Sequence, residues 1–124
     1  MVSLVIVSHS QKIAQGVVEL AKQMAEETTI IAAGGLPDGS IGTDVETIQN
    51  AIEQAMNDDG VAVLVDLGSA VMSTEIAIEN CHGNAQIADG PIVEGAVVGA
   101  VNASLGMPLD KVLQSIKDTR MLPK

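Results

Sequence analysis

The 124-residue chain contains no phenylalanine, tyrosine or tryptophan. A core without aromatics has to be assembled from Val, Ile, Leu, Ala and Met, which suits closely spaced α/β layers. The same absence removes the rings on which nucleic-acid bases or a flavin would stack. A single cysteine, Cys81, excludes an intramolecular disulfide and a thiolate metal cluster, and fits a reducing cytoplasm. Positive charge is scarce: 6 Lys+Arg stand against 16 Asp+Glu, a net charge of −10. Such a surface repels nucleic acid and anionic membranes, so neither is expected as a partner. It suits docking to basic patches on other proteins, and equally solubility alone. The N-terminal residues 1–7 lack the basic start and cleavage site of a secretory leader, and their apolar run is far too short to cross a bilayer. A cytoplasmic protein is expected. There is no G-x-x-x-x-G-K-[ST] phosphate loop, no G-x-S-x-G elbow and no zinc signature. Direct use of ATP and a metal centre are therefore unsupported; His82 follows Cys81, but no further His or Cys stands at ligand spacing.

What is present is a regular alternation. Residues 4–7 form a continuous β-branched run, as expected of a strand covered on both faces. Ile13, Ala14, Val17, Val18, Ala21 and Met24 then recur at the helical period on one face. Residues 28–32 predict a second strand, followed by a glycine-rich loop over 33–42. Thr43-Asp44-Val45-Glu46 reads as a capping box opening a helix with Val45, Ile48, Ile52, Ala55 and Met56 inward. Residues 61–65 predict a third buried strand, and a helix follows from about residue 70 to 80. Residues 85–88 predict a weak fourth strand. A helix carrying Val93, Ala96, Val97, Ala100 and Val101 comes next, broken at Gly106-Met107-Pro108 and followed by a short one with Leu109, Val112, Leu113 and Ile116. Residues 119–124 read as a loosely held tail. Strands alternating with helices predict one α/β domain over 1–124, an open, mainly parallel sheet with helices on both faces.

In such sheets ligands sit beyond the carboxyl ends of the strands, where connections diverge. The residues falling there are Ser8, His9 and Ser10 after the first strand, Gly34 and Gly35 after the second, and Asp66, Gly68 and Ser69 after the third. A neutral imidazole is a nucleophile near neutral pH, and a carboxylate that accepts a hydrogen bond from one ring N–H leaves the other nitrogen free to attack. His9 is thus the candidate nucleophile and Asp66 its orienter; a strand-end histidine bonded to backbone is the plainer reading. Gly68-Ser69 leads straight into a helix, whose N-terminus would favour a phosphoryl group. Ser10 could do the same beside His9, though both serines also read as ordinary N-caps. Gly34, Gly35 and Gly42-Thr43 could bring backbone close to the site, or simply form a tight turn and a helix cap.

Taken in order, Val7-Ser8-His9-Ser10, Ala33-Gly34-Gly35, Ile41-Gly42-Thr43, Asp66-Leu67-Gly68-Ser69-Ala70 and Ile92-Val93-Glu94-Gly95-Ala96 resemble the phosphocarrier subunits of phosphotransferase-system-dependent dihydroxyacetone kinases. These belong with the mannose-type IIA domains, which have a flavodoxin-like three-layer fold. The resemblance implies that His9 is phosphorylated, that Asp66 hydrogen-bonds it, and that Ser10, Gly68, Ser69 and Ala70 accommodate the phosphoryl group. It implies the histidine carrier protein HPr as donor of phosphoenolpyruvate-derived phosphate. The implied acceptor is ADP on the kinase's nucleotide-binding subunit, which would return ATP for dihydroxyacetone. It also implies a homodimer, with no cofactor or metal bound by this chain. Mannose-transporter IIA domains typically carry threonine-histidine-glycine around the active histidine and a double glycine with proline after the aspartate. Ser8-His9-Ser10 and Leu67-Gly68-Ser69-Ala70 depart from both, favouring the dihydroxyacetone branch; a IIA component of a mannose-family sugar transporter is the alternative. A chain of this length leaves no room for the fused HPr-like and enzyme-I-like domains of some members, so separate donor proteins are expected.

Overall fold

The computed structural model describes residues 1–123. Four strands, β1 (Ser3–Ser8), β2 (Ile30–Gly34), β3 (Val61–Val65) and β4 (Ala85–Ile87), form one sheet in the order β2-β1-β3-β4, with every pairing parallel. The helices are α1 (Gln11–Met24), α2 (Val45–Ala55), α3 (Ser69–Glu79), α4 (Ile92–Ser104) and α5 (Leu109–Asp118).

The expected three layers are present because β1 is apolar at every second residue twice over. Leu4 and Ile6 pack into one core with Ala14, Ala21, Ala100, Val112 and Ile116, beneath α1, α4 and α5. Val5 and Val7 pack into another with Ile48, Ile52, Ala70 and Ala77, beneath α2 and α3. Side chains alternate across a strand, so a strand buried on both faces needs an unbroken apolar run. Small residues on α4 set the spacing. A Cβ on Gly99 would stand 2.8 Å from the Ile116 side chain, and one on Gly95 would stand 2.9 Å from Leu64. Packing this close, of α4 against α5 and against the sheet, needs no aromatic filling.

Several expectations shift. The second strand begins at Ile30 rather than residue 28, because Thr28 is buried and its hydroxyl donates to the Ala100 carbonyl at 2.8 Å, turning the chain before the strand starts. Ile13, Met24 and Val93 keep the helical period yet stand exposed, at the rim of the stripes they belong to. The capping box does not form. Asp44 is the N-cap of α2, accepting from the Thr47 N–H at 2.9 Å, which puts Glu46 one residue too early to reach back to the cap. Within the tail, Thr119–Met121 is a 3-10 turn, with Thr119 buried and donating to the Ile116 carbonyl at 2.7 Å. The end of that tail, Lys124, lies outside the described residues. No helix among the described residues is long and apolar enough to cross a membrane.

Candidate functional site

His9 is the first residue past β1 and Asp66 the first past β3. These strands are neighbours in register, Val7 beside Val65, so the two side chains emerge together. The chain leaves β1 toward β2 on one side and leaves β3 toward β4 on the other. The pair therefore stands in the crevice where connections diverge, the place at which open α/β sheets bind ligands. The Asp66 N–H donates to the Val7 carbonyl at 3.1 Å, carrying the ladder one residue past the strand and fixing the carboxylate's starting point.

The carboxylate is surrounded by donors. Its Oδ2 accepts from the His9 backbone N–H at 3.0 Å and from the Ser8 hydroxyl at 2.9 Å. Its Oδ1 accepts from the Leu67 N–H at 2.8 Å and faces His9 Nδ1 at 3.1 Å. Partial burial pushes the Asp66 carboxyl upward. The hydrogen bonds from the His9 backbone, the His9 ring, Ser8 and Leu67 together outweigh that and hold it below the usual carboxylate value. An ionised carboxylate only accepts. In the neutral ring Nδ1 therefore carries the proton, and Nε2 presents a lone pair. Nε2 lies 2.9 Å from the Ser69 hydroxyl, which in this arrangement donates to it. The His9 side chain is 21% exposed and the Asp66 side chain 12%, so the orienting carboxylate is the more deeply held of the two and the ring keeps some access to solvent.

The other residues singled out from sequence divide in two. Ser10 is the N-cap of α1, its hydroxyl accepting from the Ile13 N–H at 3.2 Å. Ser69 is not a cap: Gly68 occupies that position, and Ser69 is the first residue of α3, leaving its hydroxyl for His9. The N–H groups of Gly68 and Ser69 have no partner among the described residues, whereas that of Ala70 donates to the Leu67 carbonyl at 3.0 Å. Gly34 and Gly35 act through space and backbone. A Cβ on Gly34 would lie 2.6 Å from the Ser10 carbonyl oxygen, so glycine lets the start of α1 close against β2. Gly35, at φ +71°, donates its N–H to the Ser8 carbonyl at 3.0 Å. Gly42 braces the histidine itself, its N–H donating to the His9 carbonyl at 2.9 Å. Thr43 points elsewhere, toward the Ser73 hydroxyl at 3.1 Å.

Two features escaped the sequence reading. Ser8 is buried and hydrogen-bonded to Asp66, where strand-end position alone gave it no role. The second is a set of exposed apolar side chains on the segments that carry the site. Leu67 follows Asp66, Ile41 precedes the Gly42 that touches His9, and Met72 lies one turn into α3; they are 57%, 71% and 73% exposed. Three hollows of about 370, 440 and 430 Å³ lie elsewhere, and none of them is lined by His9, Asp66 or Ser69. Among the described residues no group of three His, Cys, Asp or Glu is placed to hold a metal ion.

Residues 3–113 match the family model described as the phosphotransferase-system fructose IIA component, of mannose type. The chain is 40% identical over 121 residues to the phosphoryl donor subunit DhaM of the phosphoenolpyruvate-dependent dihydroxyacetone kinase of Escherichia coli, covering 91% of this chain and 26% of that protein. It thus spans about a quarter of that relative. It is 36% identical to a phosphoryl donor subunit DhaM of Listeria innocua, covering 94% of this chain and 97% of that one. A crystal structure described as a protein of unknown function superposes with a TM-score of 0.84 at 34% identity, over 94% of this chain and 93% of that chain. The chain belongs to the mannose-type IIA family of the phosphotransferase system, in the branch of the dihydroxyacetone kinase phosphoryl donor subunits.

Proposed function

We propose that this chain is a phosphocarrier that accepts a phosphoryl group from phospho-HPr on Nε2 of His9 and passes it to ADP held on the nucleotide-binding subunit of a dihydroxyacetone kinase. The observation that carries the reading is the clamp on the ring: Asp66 engages Nδ1 at 3.1 Å while Nε2, on the other side of a partly exposed ring, meets the Ser69 hydroxyl at 2.9 Å.

In the first half-reaction Nε2 attacks phosphorus. The P–N bond to the donor breaks, and its electron pair stays with the donor's imidazole. The His9 ring, now bearing the phosphoryl group on Nε2 and a proton on Nδ1, is cationic and rests against the Asp66 carboxylate. Ser69 turns its hydroxyl from Nε2 to a phosphoryl oxygen, and the unpaired N–H groups of Gly68 and Ser69 at the start of α3 supply further donors. In the second half-reaction a terminal oxygen of ADP attacks, the P–N electron pair returns to Nε2, and the neutral ring is restored. Positioning and electrostatics do this work, as in phosphoryl transfer generally. The exposed apolar side chains of Ile41, Leu67 and Met72, carried on the segments that supply the site, support transfer between proteins. In this reading the carrier is a cytoplasmic homodimer that binds no cofactor itself, and its mass in solution tests the dimer.

Incubation with phosphoenolpyruvate, enzyme I and HPr should place acid-labile phosphate on the chain. If His9→Ala is labelled as well as wild type, the assignment fails. The family model's description as a sugar-system component favours a second reading, a IIA component of a mannose-family transporter. Delivery of the label to an ADP-loaded dihydroxyacetone kinase subunit separates the two.

A further inference from the structure

We infer that Ser8 is a positioning residue of the phosphotransfer site, its buried hydroxyl orienting the Asp66 carboxylate so that the carboxylate in turn holds the His9 ring with Nε2 unprotonated. The functional half of this inference rests on the phosphocarrier reading; the structural half does not.

Ser8 closes the strand Ser3-Leu4-Val5-Ile6-Val7-Ser8 and is 1% exposed. A hydroxyl taken out of water needs partners, and this one has two. It accepts from the Ser10 N–H at 3.0 Å and donates to Asp66 Oδ2 at 2.9 Å. The direction is not free: a backbone N–H can only donate, so the single hydroxyl proton goes to the carboxylate. Ser10 is itself the N-cap of α1. One oxygen atom therefore joins the first turn of α1 to a carboxylate that arrives from the neighbouring strand.

That joint determines which way the carboxylate faces. Oδ2 is occupied by two fixed donors, the Ser8 hydroxyl and the His9 N–H, while Oδ1 takes the Leu67 N–H and retains its other lone pair for the ring. Three donors, one from the last residue of β1, one from the residue after it and one just past β3, thus set the plane of the carboxylate, and the fourth partner, Nδ1–H, follows from them. Without the Ser8 hydroxyl, Oδ2 keeps one donor, the Ser10 N–H loses its acceptor, and the carboxylate is free to turn off the ring. The proton is then no longer confined to Nδ1, and part of the population carries it on the nitrogen that has to attack.

The test compares wild type, Ser8→Ala and Ser8→Thr, the last keeping the hydroxyl. His9 and His82 are the only histidines, so long-range proton–nitrogen NMR of the imidazoles shows two rings, and His9→Ala assigns them. Wild type and Ser8→Thr should show His9 protonated at Nδ1, and Ser8→Ala a mixture. Phosphoryl transfer from phospho-HPr should slow by about tenfold in Ser8→Ala, the scale of one weak charge-assisted hydrogen bond, and return to within about twofold in Ser8→Thr. Thermal melts establish that each variant is folded. A Ser8→Ala protein with the wild-type tautomer and rate overturns the inference. So does the absence of a slowly exchanging Ser8 hydroxyl proton in wild type, a measurement that needs no variant. Wild type that takes up no phosphate would remove the phosphocarrier reading, while the tautomer comparison would still decide the role of Ser8.

Discussion

Replacing Asp66 by asparagine changes one atom and reverses the hydrogen-bonding character of half the group. The carboxylate accepts from four donors, two on each oxygen: the His9 N–H and Ser8 hydroxyl on Oδ2, the Leu67 N–H and the ring on Oδ1. An amide has one accepting oxygen and one donating nitrogen. The orientation that keeps the Oδ2 partners turns the NH2 toward Leu67 N–H and Nδ1. Nδ1 must then accept, the ring proton moves to Nε2, and the nucleophile is lost. The opposite orientation would leave the proton on Nδ1, but it points the NH2 at the His9 N–H and the buried Ser8 hydroxyl, whereas the first strands only the N–H of the exposed Leu67; the first is therefore favoured, and one backbone donor is stranded either way. With the Asp66 side chain 12% exposed, the stranded donor should cost about 1–3 kcal/mol of stability. The rate should fall far more. A histidine held in the wrong tautomer by an amidated orienting aspartate loses on the order of 10⁴-fold in the serine-protease triad, and a fall of about 10³-fold or more is expected here. The assay is single-turnover transfer of labelled phosphate from phospho-HPr, with the tautomer of His9 read by nitrogen NMR on the same sample. A folded Asp66→Asn protein that transfers within about tenfold of wild type would refute the claim that Asp66 sets the tautomer.

The same carboxylate predicts a pH dependence. Its folded-state pKa lies below the ordinary value. The stability it contributes is therefore fully present above the unfolded-state value of about 3.9 and is lost as the pH falls through the lower folded value. Urea unfolding of wild type and Asp66→Asn across the acid range should show a gap between the two that is constant near neutrality and closes below about pH 4. Glycine substitutions separate space from propensity. Gly34→Ala puts a Cβ 2.6 Å from the Ser10 carbonyl oxygen and 2.7 Å from the Ala14 Cβ; it should destabilise by about 1–3 kcal/mol and slow transfer by displacing the turn that carries His9. Gly16→Ala, inside α1 with nothing within 4 Å of the new atom, should stabilise by about 0.5–1 kcal/mol and leave transfer unchanged. Denaturant midpoints check both.

The fold was legible where one physical requirement dominates. A strand covered on both faces must be apolar throughout, and residues 61–65 coincide with β3 for that reason. Legibility failed where a polar group made an unforeseen bond. Thr28 looks like a β-branched strand residue but is held by the Ala100 carbonyl, and Thr43 looks like a helix cap but is displaced by Asp44, whose carboxylate reaches the Thr47 N–H. The site shows the same division. Strand ends meet at a topological switch, so His9 and Asp66 could be paired from the order of elements alone. Ser8 could not be, because its role depends on the direction of a hydroxyl beneath the sheet edge. The cap expected at Ser69 fell one residue earlier, at Gly68, and that single step frees the Ser69 hydroxyl to meet Nε2.

The charge pattern bears on how such a carrier would hold its cargo. No lysine or arginine occurs between Lys22 and Lys111, the span that contains Asp66, Gly68 and Ser69 and every residue of α2 and α3. A phosphoryl group on Nε2 would therefore be met at the start of α3 by neutral donors: the Ser69 hydroxyl, the unpaired N–H groups of Gly68 and Ser69, and a helix terminus worth about half a unit of positive charge. Charge-assisted bonds to arginine or lysine are roughly twice as strong as neutral ones, and a site built from them would bind the phosphoryl group as a product. Neutral donors stabilise the transferring group while leaving its retention to the P–N bond itself. The positive charge that draws it off can then arrive with the acceptor, approaching a chain whose own net charge is −10. In the proposed relay, the scarcity of cations and the partial exposure of the His9 ring serve one end: a phosphoryl group held in the right place but lightly enough to be handed on.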